Sequence, residues 1–139
     1  MLTSTNFREL IVKEIDYAVN RMKQTSDGEE KLYYFSAIPG IIQRVYNLEY
    51  DSDLVYMHFI LQETYKAFLA RFKAIQQGGE RIIPLFEEHF EKLATFSKEL
   101  ATRINEKKGI DDMLKKFVLL LYTTTGNGYY LTQKGLLEI

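Results

Sequence analysis

Apolar residues recur at helical spacing along two long stretches in the middle of the chain. The first series comprises Leu54, Met57, Leu61, Tyr65, Phe68, Phe72 and Ile75. After Gly78-Gly79 the second comprises Ile83, Phe86, Phe90, Leu93, Ser97, Leu100 and Ile104. Both series advance by about 3.5 residues per step, the repeat of two helices that lie along one another. Because the intervening loop is short, the pattern predicts an antiparallel helical hairpin.

Three further helices are predicted around this hairpin. The first covers residues 6–22, and the second begins near Glu29 behind a capping Ser26. Pro39-Gly40 predicts a kink or short break in the second helix, because proline lacks a backbone donor and crowds the carbonyl four residues earlier. The last helix begins at Asp111, where acidic side chains suit the positive end of a helix.

The region from Arg44 to Leu61 has an alternative interpretation as a strand hairpin. Tyrosine and β-branched residues favour strands over residues 44–50 and 55–61, joined across Asp51-Ser52-Asp53. We favour helix, since the apolar series beginning at Leu54 continues unbroken to Ile75. The three polar residues then cap a long helix that ends near Gly78, and the fourth helix starts between residues 80 and 84.

These patterns together predict an all-α fold. The expected architecture is a five-helix bundle organised on the long antiparallel helical hairpin, with a short irregular or hairpin tail over residues 122–139. A chain of 139 residues fits one domain, here residues 1–139. Hydrophobic residues make up 46% of the chain, which favours a folded core over disorder.

Charge and cysteine content narrow the function classes. A net charge of −1 gives no electrostatic reason to expect nucleic acid as a partner. The chain has no cysteine, which excludes disulfides and thiolate chemistry. No apolar run in residues 1–14 has the length of a signal peptide, and the run over residues 117–122 is too short to span a bilayer. We therefore expect a cytoplasmic protein without a membrane partner.

Apolar residues outside the main series predict self-association. They are Val55, Phe59, Ile60 and Leu69 in the third helix and Phe96 in the fourth. The three shorter helices are too small to cover all the apolar surface of the two long ones. We therefore expect a homodimer in which the uncovered apolar faces of two copies meet.

Candidate chemistry is sparse. Neither His58 nor His89 follows a glutamate by three residues, as di-metal helical bundles require, because Val55 and Phe86 stand there. Asp51 and Asp53 are explained by helix capping, although two carboxylates in one loop also suit a hard cation. No nucleophile, base and orienting group can be assembled, so we expect a non-enzymatic protein with no cofactor and no metal.

Tyrosines are concentrated around the second helix and the start of the third. Those proposed to bind a partner are Tyr33, Tyr34, Tyr46, Tyr50 and Tyr56. Tyrosine is common at partner surfaces because its ring buries area while its hydroxyl stays in water, but a tyrosine-rich core margin is the plain alternative. The leading hypothesis is an interaction or scaffold protein that acts as a homo-oligomer. A second hypothesis is a small-molecule pocket near Pro39-Gly40.

Residues 128–135 read Gly-Tyr-Tyr-Leu-Thr-Gln-Lys-Gly. This segment resembles the wing strand and following helix cap of winged-helix DNA-binding domains. The resemblance covers about a dozen residues and implies a DNA-binding regulator that uses Lys134 and the turn at Asn127. The preceding helix departs from the pattern, because Met113, Leu114 and Phe117 are core-forming where such a domain has a basic recognition helix.

Overall fold

A computed structural model describes residues 4–78 and 87–123, and these residues form six helices. The helices are α1 (Ser4–Gln24), α2 (Gly28–Phe35), α3 (Ala37–Leu48), α4 (Ser52–Gln76), α5 (Glu87–Glu106) and α6 (Asp111–Thr123). No strand occurs within these two ranges. The predicted all-α class is therefore confirmed. The predicted start of the fourth helix and residues 124–139 of the predicted tail lie outside the described residues. The first two residues of that tail, Tyr122 and Thr123, are not irregular but form the end of α6.

The second predicted helix is two helices, and the break lies before the proline. α2 ends at Phe35 and α3 begins at Ala37, so Pro39 sits in the first turn of α3, where its missing N–H costs little. The carbonyl that Pro39 would crowd belongs to Phe35, and α2 ends at that residue. The cap is also displaced: the Asp27 side chain, rather than Ser26, accepts the Glu29 N–H at 2.9 Å.

The region from Arg44 to Leu61 is helical, as favoured. α3 continues to Leu48, and α4 begins after Asp51, whose carboxylate accepts the Asp53 N–H at 3.0 Å. Gly78 follows the end of α4 with a φ of 72°, a left-handed conformation that glycine adopts without strain. The predicted cap and stop of this helix are therefore both confirmed.

The two long helices have different neighbours from those that the hairpin predicts. In the described residues α4 lies along α3 and α6, while α5 lies along α1 and α6. Where α4 and α5 meet, the rings of Phe68 and Phe90 stand edge to face with centroids 5.7 Å apart. The predicted lengthwise hairpin is therefore wrong over this part of the chain. The apolar faces of α1, α3 and α6 cover the surfaces of α4 and α5 that the hairpin would have packed against each other.

The heptad-like series nevertheless identifies the buried side of both helices. Met57, Leu61 and Phe68 of α4 are fully buried, as are Leu93 and Leu100 of α5. Their spacing thus determines which face turns inward, while the identity of the helix opposite depends on the whole bundle.

Two buried cations bind the carbonyl ends of helices. Arg8 donates from Nη1 to the Ile104 carbonyl at 3.0 Å, and its Nη2 pairs with Glu49 at 3.1 Å. Lys31 donates from Nζ to the Met22 carbonyl at 2.9 Å. Carbonyls in the last turn of a helix have no partner within the helix, and a cation there also suits the helix dipole. These contacts tie α1 to the end of α5 and α2 to the end of α1.

One face of α6 is buried. It comprises Met113, Phe117 and Leu120, whereas Val118 is exposed. α5 ends at Glu106, and Lys107 takes a left-handed φ of 55° in the connection to α6.

Candidate binding groove between the first three helices

A groove of about 880 Å³ opens to solvent between α1, α2 and α3. We call it the α1–α3 groove. α1 contributes Leu10, Glu14 and Tyr17, which recur along one side of that helix. α3 contributes a matching series of Ala37, Ile41 and Arg44. The first and last residues of each series are seven positions apart, a rise of about 10 Å at roughly 1.5 Å per residue, so the groove is about two helical turns long.

Two ion pairs show that α1 and α3 run in opposite directions. Arg44 of α3 forms an ion pair with Glu14 of α1, with Nη1 donating to Oε1 at 3.4 Å. Nearer the start of α1, Arg8 pairs with Glu49, the residue directly after α3, at 3.1 Å. Higher numbers on α1 thus face lower numbers on α3. Both charged side chains of the Glu14–Arg44 ion pair are about half exposed, so the pair lies at the solvent surface.

Arg21 holds Tyr34 in place at one end of the groove. The guanidinium lies 5.2 Å from the centroid of the Tyr34 ring, and Nη2 and Nε donate to its hydroxyl at 3.0 and 3.2 Å. Hydrogen bonding to Tyr34 raises the pKa of Arg21 above its usual value. Tyr33 packs edge to face on Tyr34 with centroids 5.4 Å apart, yet 71% of Tyr33 is exposed. The fixed Tyr34 therefore supports an aromatic wall that faces water.

The absence of a side chain at Gly40 leaves room in the groove. A β-carbon built on Gly40 meets no atom within 4 Å, so a larger residue would project into open space. The neighbouring Pro39 is buried behind it. The groove therefore lies where the sequence pattern places a small-molecule pocket.

The five tyrosines proposed from the sequence are distributed over three places. Tyr33 and Tyr34 line the α1–α3 groove. Tyr46 is half-buried, and its hydroxyl lies 2.9 Å from Nδ1 of a histidine in α4, His58. The other two, Tyr50 and Tyr56, are exposed at the start of α4. Only two of the five therefore lie in the groove.

Sequence reasoning missed Tyr17 as a groove residue. Its signal was present, because Leu10, Glu14 and Tyr17 follow the spacing of one helix face beside the buried stripe. An apolar residue and a tyrosine on the otherwise polar side of an amphipathic helix mark a contact surface. Tyr17 is 63% exposed, lines the groove and meets Tyr34 edge to face with ring centroids 6.4 Å apart.

The histidines and carboxylates do not form a metal site in the described residues. Across residues 4–78 and 87–123, no group of three or more potential ligand side chains could hold a metal ion. Asp51 caps α4, as the capping interpretation predicts. His58 is partly buried, and this burial lowers its pKa.

Large hydrophobic side chains are also exposed from the end of α3 through the first half of α4. We call this set the α4 patch, and its members are Leu48, Tyr50, Val55, Tyr56 and Phe59. Phe59 is 58% exposed and is the one exposed phenylalanine among the side chains that the structure describes. Of the residues expected to drive dimerisation, Val55 and Phe59 belong to this patch. Ile60 is buried, while Leu69 and Phe96 are partly buried against the core.

Comparison with protein-family models, curated proteins and solved structures finds no match to this chain. In residues 4–78 and 87–123, no helix has both the length and the apolar character needed to cross a membrane. Lys134 and the turn at Asn127, which carry the winged-helix resemblance, lie outside the described residues, so DNA binding stays a prediction.

Proposed function

We propose that the protein is a non-enzymatic binding module that holds a short amphipathic segment of another protein in the α1–α3 groove. The observation that carries this proposal is the exposure of Tyr17 and Tyr33 beside an open groove that Gly40 leaves unfilled. Tyrosine is enriched at protein interfaces because a rigid ring supplies contact area while the hydroxyl tolerates water. Such rings on a pre-formed wall lose little freedom on binding.

The dimensions and chemistry of the groove favour a helical occupant. Its two walls extend over about two helical turns, which matches a partner helix with apolar side chains at positions i, i+4 and i+7. Leu10 and Ala37 supply exposed aliphatic surface on opposite walls. The exposed Glu14–Arg44 ion pair provides a charged partner for polar residues at the edge of such a helix.

The proposal is tested with a displayed library of random peptides of about 12 residues, enough for three helical turns. Peptides are selected on the wild-type protein and then measured against Gly40→Leu, which places a side chain in the groove. Gly109→Leu is the matched control, because Gly109 also faces open space but lies outside the groove. We expect Gly40→Leu to raise the dissociation constant by at least about tenfold, or roughly 1.4 kcal/mol, while Gly109→Leu leaves it unchanged.

Peptides that bind wild type and Gly40→Leu equally well would contradict the proposal. So would a library that yields no binder at all under conditions in which the protein is folded by circular dichroism. A second variant, Tyr33→Ser, checks the aromatic wall without filling the groove, since Tyr33 is mostly exposed and its loss leaves the core intact.

A small-molecule ligand is the second candidate for the same groove. Its volume of about 880 Å³ falls within the range of about 300–1,000 Å³ typical of such sites. A thermal-shift screen of drug-sized compounds distinguishes the two, with stabilisation of wild type and none of Gly40→Leu as the expected result. If no compound stabilises the wild type, this second candidate is rejected while the peptide proposal stands.

A further inference from the structure

We infer that the α4 patch is where a second copy of this chain docks, with the two α4 helices packed antiparallel and crossing at Phe59. This goes beyond the proposed function, because the patch is separate from the α1–α3 groove and shares no lining residue with it. The starting observation is Phe59 itself. A phenylalanine has no polar atom to offer water, and every other described phenylalanine is buried or half-buried.

The size of the patch fits a dimer contact. Aromatic side chains bury on the order of 150–250 Å² each, so three largely exposed aromatics with Leu48 and Val55 offer roughly 600 Å². A stable interface takes about 800 Å² from each partner and at least about 1,000 Å² in total. Two copies of the patch together offer roughly 1,200 Å², which exceeds the lower limit for the total area before polar residues at the rim are included.

The charges on either side of Phe59 select an antiparallel arrangement. Ser52 and Lys66 each stand seven residues from Phe59, two helical turns along the same face. In an antiparallel pair centred on Phe59, Lys66 of one copy therefore lies opposite the acidic start of the other, where Asp51 and Asp53 flank Ser52.

Lys66 is available for that contact. Within its own helix it pairs with Glu63 at 3.3 Å, but Lys66 is 69% exposed on its side chain, and exposed pairs at this spacing contribute only about 0.5 kcal/mol or less. A two-fold axis through the helix crossing would create two Lys66 contacts with acidic residues, one on each side of the paired Phe59 rings. The contact is self-complementary, as a closed dimer requires.

Sedimentation velocity of the full chain at roughly 50 µM tests the proposal. We expect a species of twice the 16.3 kDa chain mass for the wild type. Phe59→Asp should raise the dimer dissociation constant by about 100-fold or more and yield a folded monomer. The matched control is Tyr33→Asp, which places the same charge on an exposed aromatic position in the groove and should leave the dimer intact.

The arrangement is tested by exchanging charges. Asp53→Lys and Lys66→Glu should each weaken the dimer by about fivefold, and the double variant should recover to within about twofold of wild type. A wild-type monomer, an equal response to Phe59→Asp and Tyr33→Asp, or a double variant weaker than either single one would overturn the inference. Monomeric Phe59→Asp should still bind the peptides selected on the groove, because Phe59 lies outside it. Loss of the dimer can therefore be distinguished from failure of the groove proposal.

Discussion

Two aromatic clusters lie beside the α2–α3 region, one at its start and one near the junction of the two helices, and they differ in how completely they exclude water. Beside Gly28, at the start of α2, the rings of Phe68 and Phe90 pack edge to face and are buried. Near Gly40 in α3, the rings of Tyr17 and Tyr33 stand on either side of Tyr34 and are largely exposed. The first cluster consists of phenylalanines and the second of tyrosines.

The two glycines show the same difference in the space around them. A β-carbon built on Gly28 would stand 2.8 Å from Cε2 of Phe72 and 3.5 Å from Cζ of Phe90, whereas one on Gly40 meets nothing within 4 Å. Close packing at Gly28 brings helix backbone and aromatic rings together, as in a protein interior. Open space at Gly40 leaves surface that only a ligand or partner would cover. Within these two clusters, phenylalanine rings are the buried ones and tyrosine rings the exposed ones, while the glycines set the space available in each.

The largest expected effect is on the buried cluster. Phe68→Ala should lower the free energy of unfolding by about 3–5 kcal/mol, because Phe68 is fully buried and its loss leaves a cavity beside Phe90. Urea denaturation at 25 °C measures this change. The matched variant in the open cluster is Tyr33→Ala, which should change stability by less than about 0.5 kcal/mol. Comparable losses in both variants would show that the tyrosine cluster is as tightly packed as the phenylalanine cluster.

One substitution made at two positions should change stability in opposite directions. Gly40→Ala should stabilise by about 0.5–1 kcal/mol, because alanine costs less conformational entropy than glycine in a helix and meets no obstacle here. Gly28→Ala gains the same entropy but forces the Phe72 ring to move, and overpacking costs about 1–3 kcal/mol, so a net loss of about 1 kcal/mol is expected.

Paired denaturation curves measure both glycine variants under one set of conditions. Stabilisation by Gly28→Ala would mean that the half-buried Phe72 ring moves away freely, and destabilisation by Gly40→Ala would mean that the groove is filled. Either result would remove the contrast between the two clusters.

Much of the fold follows from local sequence signals. The spacing of Leu54, Met57 and Leu61 identifies the inward face of α4, and Asp51 and Gly78 mark its ends through capping chemistry and a left-handed turn. These features depend on residues within one or two helical turns of each other. Periodicity and capping therefore predict them without knowledge of the neighbouring helices.

The features that sequence reasoning missed depend on distant parts of the chain. Phe68 and Leu93 belong to matching series, yet α4 and α5 take different main partners, because each apolar face competes for all the others. The groove exists because α1 and α3 are separated at the solvent surface. The spacing of residues within either helix does not predict that separation. Tyr17 and Gly40 become one site only through that separation.

The smallest expected effect concerns a tyrosine in neither cluster, Tyr46, whose hydroxyl lies 2.9 Å from Nδ1 of His58. Burial lowers the pKa of His58 from its usual 6.5, so the folded protein binds a proton less readily than the unfolded chain. Above pH 6.5 His58 is neutral in both states and does not affect stability. As the pH falls through 6.5 and then through the folded pKa, the unfolded chain is protonated first and stability is lost.

Thermal denaturation of wild type and His58→Gln between about pH 7.5 and 5 isolates this effect, since the difference between the two curves removes the titration of other groups. We expect wild type to lose more stability on acidification than the variant. Tyr46→Phe serves as the companion variant, because it removes the hydroxyl but keeps the ring that covers His58. If burial rather than the hydrogen bond lowers the pKa, Tyr46→Phe should retain the wild-type dependence on pH. If Tyr46→Phe instead loses that dependence on pH, the hydrogen bond from the Tyr46 hydroxyl is the cause of the lowered pKa of His58. The feature that sets Tyr46 apart from the groove tyrosines would then be this hydrogen bond and not its burial.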